Sequence, residues 1–325
     1  MNRIRIGILG TSNIAQKAII PTIVALPDVF ELVGIASRNI EKLKDITNAL
    51  DVIAFQGYDA VIDKNIIDAI YIPLPNSLHF EFVEKALKKG IHVLVEKSLG
   101  CNFLEVSKLV SLAQKNSLVL MENFQFRFHS QLEFLINKLK SKEFGEIRSI
   151  KASFGFPPFS DSENIRYKKE LGGGALLDAG AYTTKISQII LGNGLNVEAA
   201  TLNKTPTDEV DIWGGAFLKQ KETGLFSSLA FGFNNYYQCG VEIWGSKGKI
   251  STNRLFTAPP GYEPIFEIET PQDKQVVKLP SDNHFINMLT HFYNCIENDH
   301  LKEIENNQNL DQARLIEGIK NKADE

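Results

Sequence analysis

The chain has 325 residues, 35 lysines and arginines against 39 aspartates and glutamates, a formal net charge of −4, and 43% hydrophobic residues. That length suggests about two domains, and that charge gives no general attraction to nucleic acid or to an anionic membrane, so an anionic ligand needs a local site. Three widely spaced cysteines (Cys101, Cys239, Cys295), six scattered histidines and no apolar run near the ~18 residues of a membrane span argue against a disulfide framework, a metal site and a transmembrane segment; a cytoplasmic location is expected.

Ile4–Leu9 is a short apolar run that ends at Gly10, the look of a buried parallel strand. Gly10-Thr11-Ser12-Asn13-Ile14-Ala15 follows and opens a helical stretch to about Leu26. A second strand is expected from Phe30 to Ala36, completing a βαβ unit. Against the dinucleotide pattern G-x-G-x-x-G/A, Gly10 takes the first place and Ala15 the last, while Ser12 replaces the glycine that lets backbone approach a pyrophosphate. NAD-binding units place Asp or Glu at the end of the second strand. Here the residues are Ser37-Arg38-Asn39, with Lys42 one turn on. A guanidinium suits a 2′-phosphate through paired charge-assisted hydrogen bonds, so NADP is expected over NAD.

Further strands are expected at Ala69–Ile72, Ile91–Val95 and Leu118–Met121, with helices to Lys89 and over Leu104–Lys115. Polar groups just past strand C-termini lie where open α/β sheets bind ligands. Pro73, Asn76, His79, Glu96, Lys97 and Asn123 all fall at such ends. From about Gly145 the pattern changes to period-2 alternation: Ile150, Ala152, Phe154 and Phe156, then Val210 to Ala216, Leu229 to Phe233, and Val241 with Ile243. This indicates a largely antiparallel sheet with one covered face. Its other face carries Trp213, Phe217 and Phe226, and so predicts a homo-oligomer, a dimer or tetramer, built through the open sheet. Two C-terminal helices are expected over Phe285–Ile296 and Asp311–Lys320. The fold class is α/β, with a doubly wound parallel sheet over residues 1–122 and an α/β domain with a large open sheet over 123–325.

Between the halves of that second domain lies Gly172-Gly173-Gly174-Ala175-Leu176-Leu177-Asp178-Ala179-Gly180-Ala181-Tyr182. The glycines allow close approach of another chain or a ligand. Asp178 and Tyr182 are four apart, so they share a helix face and present a carboxylate and a phenol together.

The ordered set of Gly10–Ala15, Pro73–His79, His92–Leu99 and Gly172–Tyr182 resembles the glucose-fructose oxidoreductase / inositol dehydrogenase / MocA family over nearly the whole chain. The resemblance implies a Rossmann domain followed by a domain with an open sheet, and a hydride exchanged between a nicotinamide cofactor and a sugar. Two departures stand out. The family's Glu-Lys-Pro is Glu96-Lys97-Ser98 here, and Tyr182 stands where many members have histidine. The tyrosine is similar to a branch holding sugar oxidoreductases, dihydrodiol dehydrogenases and 3-ketoreductases of nucleotide-linked deoxysugars. Met121–Phe124, His129–Gln131, Phe156–Pro158 and Asn164–Tyr167 resemble the last of these.

That reading expects NADPH to reduce a C3 ketone of a nucleotide-linked deoxysugar. Tyr182 would donate the proton, and Lys97 would assist it and hold the substrate oxygen. Asn123, Arg166 and Asp178 would contact substrate. Gly10, Thr11, Ser12, Asn13, Ile14, Ser37, Arg38, Lys42, Pro73, Leu74, Asn76, His79, Glu96 and Lys97 would line the cofactor. Alternatives on the same scaffold are an NADP-dependent aldose or trans-dihydrodiol dehydrogenase, and a non-enzymatic NADP-binding regulator.

Overall fold

The computed structural model describes residues 3–161 and 163–325. They form two compact units. One runs to Asn123 and takes up Phe285–Leu310; the other holds Phe124–His284 and the chain from Asp311 onward. A single division at 122/123 does not describe this path, because residues 285–310 return to the first unit.

The first unit alternates β1 (Ile4–Leu9), α1 (Ile20–Val24), β2 (Phe30–Ser37), α2 (Lys44–Leu50), β3 (Ile53–Gln56), α3 (Asp59–Asp63), β4 (Ala69–Ile72), α4 (Asn76–Lys88), β5 (His92–Glu96), α5 (Phe103–Lys115) and β6 (Leu120–Asn123). The strands make a six-stranded sheet in the order β3-β2-β1-β4-β5-β6, every neighbouring pair parallel. Helices on both faces explain the unbroken apolar runs: Ile6, Ile8, Ile70, Val93 and Leu94 are all fully buried. Strand order reverses between β1 and β4, and crevices of doubly wound sheets bind ligands at that point. The helix ends are written locally. Asn102 accepts the Glu105 amide at 2.9 Å while Glu105 takes the Asn102 side-chain N–H at 2.9 Å, a reciprocal cap that starts α5. Gly90, at φ 76°, closes the turn after α4.

The second unit adds α6 (Ser130–Lys140), β7 (Ile147–Gly155), α7 (Ala181–Leu191), β8 (Leu195–Asn203), β9 (Trp213–Gln220), β10 (Phe226–Gly232), β11 (Gln238–Gly245), β12 (Lys249–Thr252), β13 (Ile265–Glu269) and β14 (Lys274–Lys278). Their order is β14-β13-β12-β11-β7-β10-β9-β8. Every neighbouring pair is antiparallel except the central β7–β10 pair, which is parallel. Helix α7 packs on β7 and β10. The covered face carries Ile150, Ala152, Phe154, Leu218, Leu229, Phe231, Val241 and Ile243, all buried. On the opposite face Trp213, Phe217 and Phe226 are 39%, 37% and 36% exposed, and Trp244 is 54% exposed.

Two helices finish the chain, α8 (His284–Glu297) and α9 (Asp299–Asp324). Met288, Leu289, Phe292 and Cys295 of α8 are fully buried, and Tyr293 sets its ring edge-on to Phe30 at 6.3 Å. Asn309 of α9 donates its side-chain N–H to the Leu120 carbonyl at 2.9 Å, which ties the returning segment to β6.

Candidate active site

In the first unit the expected ligand-facing groups gather past the strand ends. Gly10 adopts φ 92°, a conformation that L side chains rarely take, while its amide donates to the Ala36 carbonyl at 2.7 Å. This turns the chain sharply into Thr11 and Ser12. The Ser12 hydroxyl accepts the Ala15 amide at 3.3 Å, and the Gln16 amide group holds the Thr11 carbonyl at 2.7 Å. Asn13 is exposed and Ile14 half-buried as the chain turns into a π-helical stretch, Ala15–Ile19, ahead of α1.

The loop after β2 is held by Gln56, a residue the sequence pattern did not single out. Its side chain donates to the Arg38 carbonyl at 2.8 Å and accepts the Ile40 amide at 3.2 Å. The Ser37 hydroxyl adds a bond by accepting the Asn39 amide at 3.2 Å. The backbone under Arg38 is therefore ordered while its side chain stays exposed, 6.0 Å from the Tyr58 ring centre. Lys42 is exposed on the next turn.

The ends of β4 and β5 are tied to each other. His79, fully buried, sets Nδ1 2.7 Å from the Ser98 carbonyl and Nε2 2.8 Å from the Leu74 carbonyl. Burial pulls this imidazole down to about 4, and the nearby Lys97 charge pulls the same way. The expectation that His79 touches the cofactor is corrected on this point: both ring nitrogens face backbone within the core, so the side chain braces the Pro73–Asn76 and Lys97–Ser98 loops. Asn76 completes the brace by accepting the Ser98 amide at 3.2 Å. The Lys97–Ser98 peptide bond is cis.

Glu96, half-buried, is the other node. Its Oε1 accepts the Tyr71 hydroxyl at 2.6 Å and the Asn123 side-chain N–H at 2.7 Å. Burial raises this carboxyl above its usual range despite those donors and the neighbouring Lys97. Asn123 is buried, and its own acceptor, Oδ1, has no protein partner. A buried amide oxygen left this way fits a ligand N–H, such as that of a carboxamide. Together with the Gly10 turn and the exposed Arg38, these residues fit a dinucleotide bearing a 2′-phosphate.

In the second unit the glycine-rich run has a different cause from the one expected. Gly172 closes a 3₁₀ turn at φ 72°. A Cβ on Gly173 would lie 2.5 Å from the Arg166 carbonyl oxygen, and one on Gly174, whose φ is 113°, would collide with Asp211 Oδ1. The glycines are thus required by the protein's own backbone and by Asp211. Asp211 in turn accepts the Leu176 amide at 2.7 Å and caps the π-helical turn Leu176–Gly180 that precedes α7. Burial raises the Asp211 carboxyl.

That turn carries Asp178, and the first turn of α7 carries Tyr182. Arg166 Nε lies 2.5 Å from Asp178 Oδ2. The carboxylate holds the guanidinium above its ordinary value, and the Tyr182 phenol acts in the same direction. The guanidinium also lies 4.9 Å from the Phe159 ring centre. Tyr182 is 7% exposed, with Phe124, Phe126, Phe154 and Phe256 around it at centroid distances of 5.5, 5.8, 5.3 and 5.8 Å. Such pairs contribute roughly 0.5–1.5 kcal/mol each beyond burial, enough together to hold the phenol in one rotamer. Gln125, which sequence reasoning missed, approaches the hydroxyl at 3.3 Å. The Asp178–Arg166 pair thus lies within electrostatic reach of the Tyr182 phenol, an arrangement suited to orienting a hydroxylated substrate and moving one proton. Among the described residues no cluster of His, Cys, Asp or Glu is arranged to hold a metal ion, and no helix is long and apolar enough to cross a membrane.

Comparison with known proteins places the chain in a family. Residues 4–124 match the model of the Gfo/Idh/MocA oxidoreductase family with an NAD-binding Rossmann fold, and residues 135–251 match the Gfo/Idh/MocA C-terminal domain. The chain is 34% identical over 320 residues to the dTDP-3,4-didehydro-2,6-dideoxy-α-D-glucose 3-reductase of Actinomadura kijaniata, covering 98% of this chain and 95% of that protein. It is 36% identical over 278 residues to the enzyme of the same name from Streptomyces violaceoruber, covering 86% and 81%. A crystal structure of the A. kijaniata 3-ketoreductase with NADP and TDP-benzene superposes with a TM-score of 0.94 at 33% identity, covering 98% of both chains.

Proposed function

The chain belongs to the Gfo/Idh/MocA oxidoreductase family, and we propose that within it the chain is an NADPH-dependent ketoreductase of a nucleotide-linked deoxysugar, acting at C3. The observation that carries the reading is the Tyr182 phenol, enclosed by aromatic rings and within electrostatic reach of the Arg166–Asp178 pair. The Actinomadura kijaniata relative, matched over 98% of this chain, is named a 3-reductase of a dTDP-linked keto sugar, and its crystal structure holds NADP together with TDP-benzene.

NADPH, when bound, supplies the hydride. Gly10, Thr11, Ser12, Asn13 and Ile14 would receive its pyrophosphate side, and Arg38, with Ser37 and Lys42, its 2′-phosphate. Pro73, Leu74, Asn76, Glu96 and Asn123 would border the nicotinamide side. The protein's own task is the proton. As negative charge grows on the ketone oxygen, Tyr182 delivers its hydroxyl proton there, an acid step of a kind worth roughly 10²–10⁴-fold in rate. The Lys97 ammonium would hold the same oxygen and favour the phenolate left behind. Arg166 and Asp178 would fix the sugar hydroxyls next to the reacting carbon.

The test is an NADPH oxidation screen over keto sugars, free and dTDP-linked, with Lys97→Met and Tyr182→Phe as controls. Turnover only with the nucleotide-linked ketone, lost in both variants, is the expected result. Turnover of free xylose or glucose with NADP would replace this reading by an aldose dehydrogenase.

The exposed sheet face bears on assembly. Phe217 and Phe226 lie 5.0 Å apart across β9 and β10 on the same face as Trp213 and Trp244, between the small residues Ser149, Ser153, Gly215, Ser228 and Ala230. We infer that this face joins two copies of the chain. Light scattering of the wild type and of Phe217→Arg should give an oligomer and a monomer, and a monomeric wild type at micromolar concentration would overturn the inference. The three cysteines form no disulfide among the described residues, which suits a reducing compartment, and we place the reaction in the cytoplasm.

A further inference from the structure

Gln125 opens the short 3₁₀ turn Gln125–Phe128 and is only half-buried, yet its side chain points at the one hydroxyl in the aromatic enclosure. Both ends of its amide are equidistant from that hydroxyl: Nε2 lies 3.3 Å from Tyr182 Oη, and so does Oε1. The amide is therefore side-on to the phenol. An amide can do what no ionised side chain can, accepting from a phenol O–H through Oε1 and donating to a phenolate through Nε2, without changing its own charge.

We propose that Gln125 is the positioning residue for Tyr182, holding the hydroxyl in both its protonation states and favouring the phenolate over what an apolar enclosure would allow. The proposal rests on the reading of Tyr182 as the proton donor. Its chemistry balances within one bond: the Tyr182 O–H proton goes to the substrate oxygen, the electron pair stays on Oη, and Gln125 exchanges an accepted hydrogen bond for a donated one.

Other groups of the second unit also act on the phenol. Phe124, Phe126, Phe154 and Phe256 are apolar and disfavour a bare phenolate. Of the charged groups facing Tyr182, Arg166 favours the phenolate but is paired with Asp178, one turn before the tyrosine. Lys185, one turn after it and fully buried, sets its ammonium 5.0 Å from the Phe124 ring, which packs edge-on against the phenol. Gln125 adds a direct contact from a neutral amide, at 3.3 Å from the hydroxyl.

The experiment is an ultraviolet titration of tyrosinate in the NADP-bound enzyme. The Tyr182 signal is isolated by subtracting Tyr182→Phe. In Gln125→Leu, which removes donor and acceptor, its midpoint should rise by roughly one pH unit. In Gln125→Glu, which adds a negative charge, it should rise further. The kcat–pH profile for sugar oxidation should move with it, while KM for NADP stays unchanged. A midpoint identical in wild type and Gln125→Leu overturns the proposal, as does the reverse order of the two variants. The two readings fail separately. Full turnover in Tyr182→Phe alongside a shifted titration removes Tyr182 from the chemistry and leaves its pairing with Gln125 intact. An unshifted titration with turnover lost in Tyr182→Phe does the opposite.

Discussion

Arg166 and Asp178 meet Nε to Oδ2 at 2.5 Å, twelve residues apart in sequence, with the carboxylate largely covered and the guanidinium stacked toward Phe159. This pairing converts two separate polar residues into one oriented fork. Replacing Arg166 by lysine keeps the charge and loses the planar geometry. We expect Arg166→Lys to raise KM for the sugar by roughly tenfold, with a smaller loss in kcat, the signature of lost binding rather than lost chemistry. Steady-state kinetics at saturating NADPH decide it, and an unchanged KM would detach the pair from substrate binding.

The glycines test how that fork is held. Gly173→Ala places a methyl 2.5 Å from the Arg166 carbonyl oxygen, so the backbone that carries the guanidinium must move. Gly192→Ala is the matched control: its φ is 73°, but nothing lies within 4 Å of the added carbon. Both should lower stability, by about 1 kcal/mol or more for the left-handed strain or the clash. Only Gly173→Ala should also raise KM for the sugar. Thermal melts combined with kinetics separate the two effects.

Cofactor choice is expected to follow Arg38. The end of β2 offers it as an exposed guanidinium on a loop braced by Gln56, without a carboxylate among Ser37, Arg38 and Asn39. Arg38→Ala should weaken NADPH by roughly tenfold or more, the loss of a charge-assisted contact to phosphate, and leave NADH nearly unaffected. Fluorescence titration with both cofactors measures this. Equal weakening of the two would place Arg38 away from the 2′-phosphate.

His79 links stability to pH. Its folded value of about 4 lies below the ordinary 6.5, so between those values the unfolded chain takes up a proton that the folded chain refuses. The stabilising effect of the neutral ring is complete above pH 6.5 and is lost as the pH falls toward 4. At pH 5 the loss reaches about 2 kcal/mol. Gln in place of His79 keeps a donor for one carbonyl and has no proton to take up. Urea melts of the wild type and His79→Gln at pH 7 and pH 5 should show a smaller pH drop in the variant; equal drops would show that this imidazole is not kept neutral.

Local pattern carried the reading of β1, β4 and the strand-end polar residues, because parallel strands buried on both faces leave unbroken apolar runs and their ends are marked by Gly10 and Pro73. Arg38 was legible for a similar reason: its position at the end of β2 is fixed by the βαβ unit. Gln56, Asp211 and Gln125 were not. Each acts on a residue 18, 35 or 57 positions away, and nothing in a neighbouring pattern marks them. The glycine-rich run shows the same limit from the other side. Its unusual backbone was evident, but whether a ligand or Arg166 and Asp211 made it necessary was decided by packing. The parallel β7–β10 pair also escaped alternation, which is identical for parallel and antiparallel neighbours in a half-covered sheet.

The return of residues 285–310 to the first unit sets the timetable of synthesis. When Asn123 leaves the ribosome all six parallel strands exist, but Met288, Leu289 and Phe292, and the Asn309 bond to Leu120, do not. At ~5–20 residues per second, the missing cover arrives on the order of ten seconds later. The nascent sheet must wait partly uncovered while the whole second unit is made, so the part translated first is among the last to be completed.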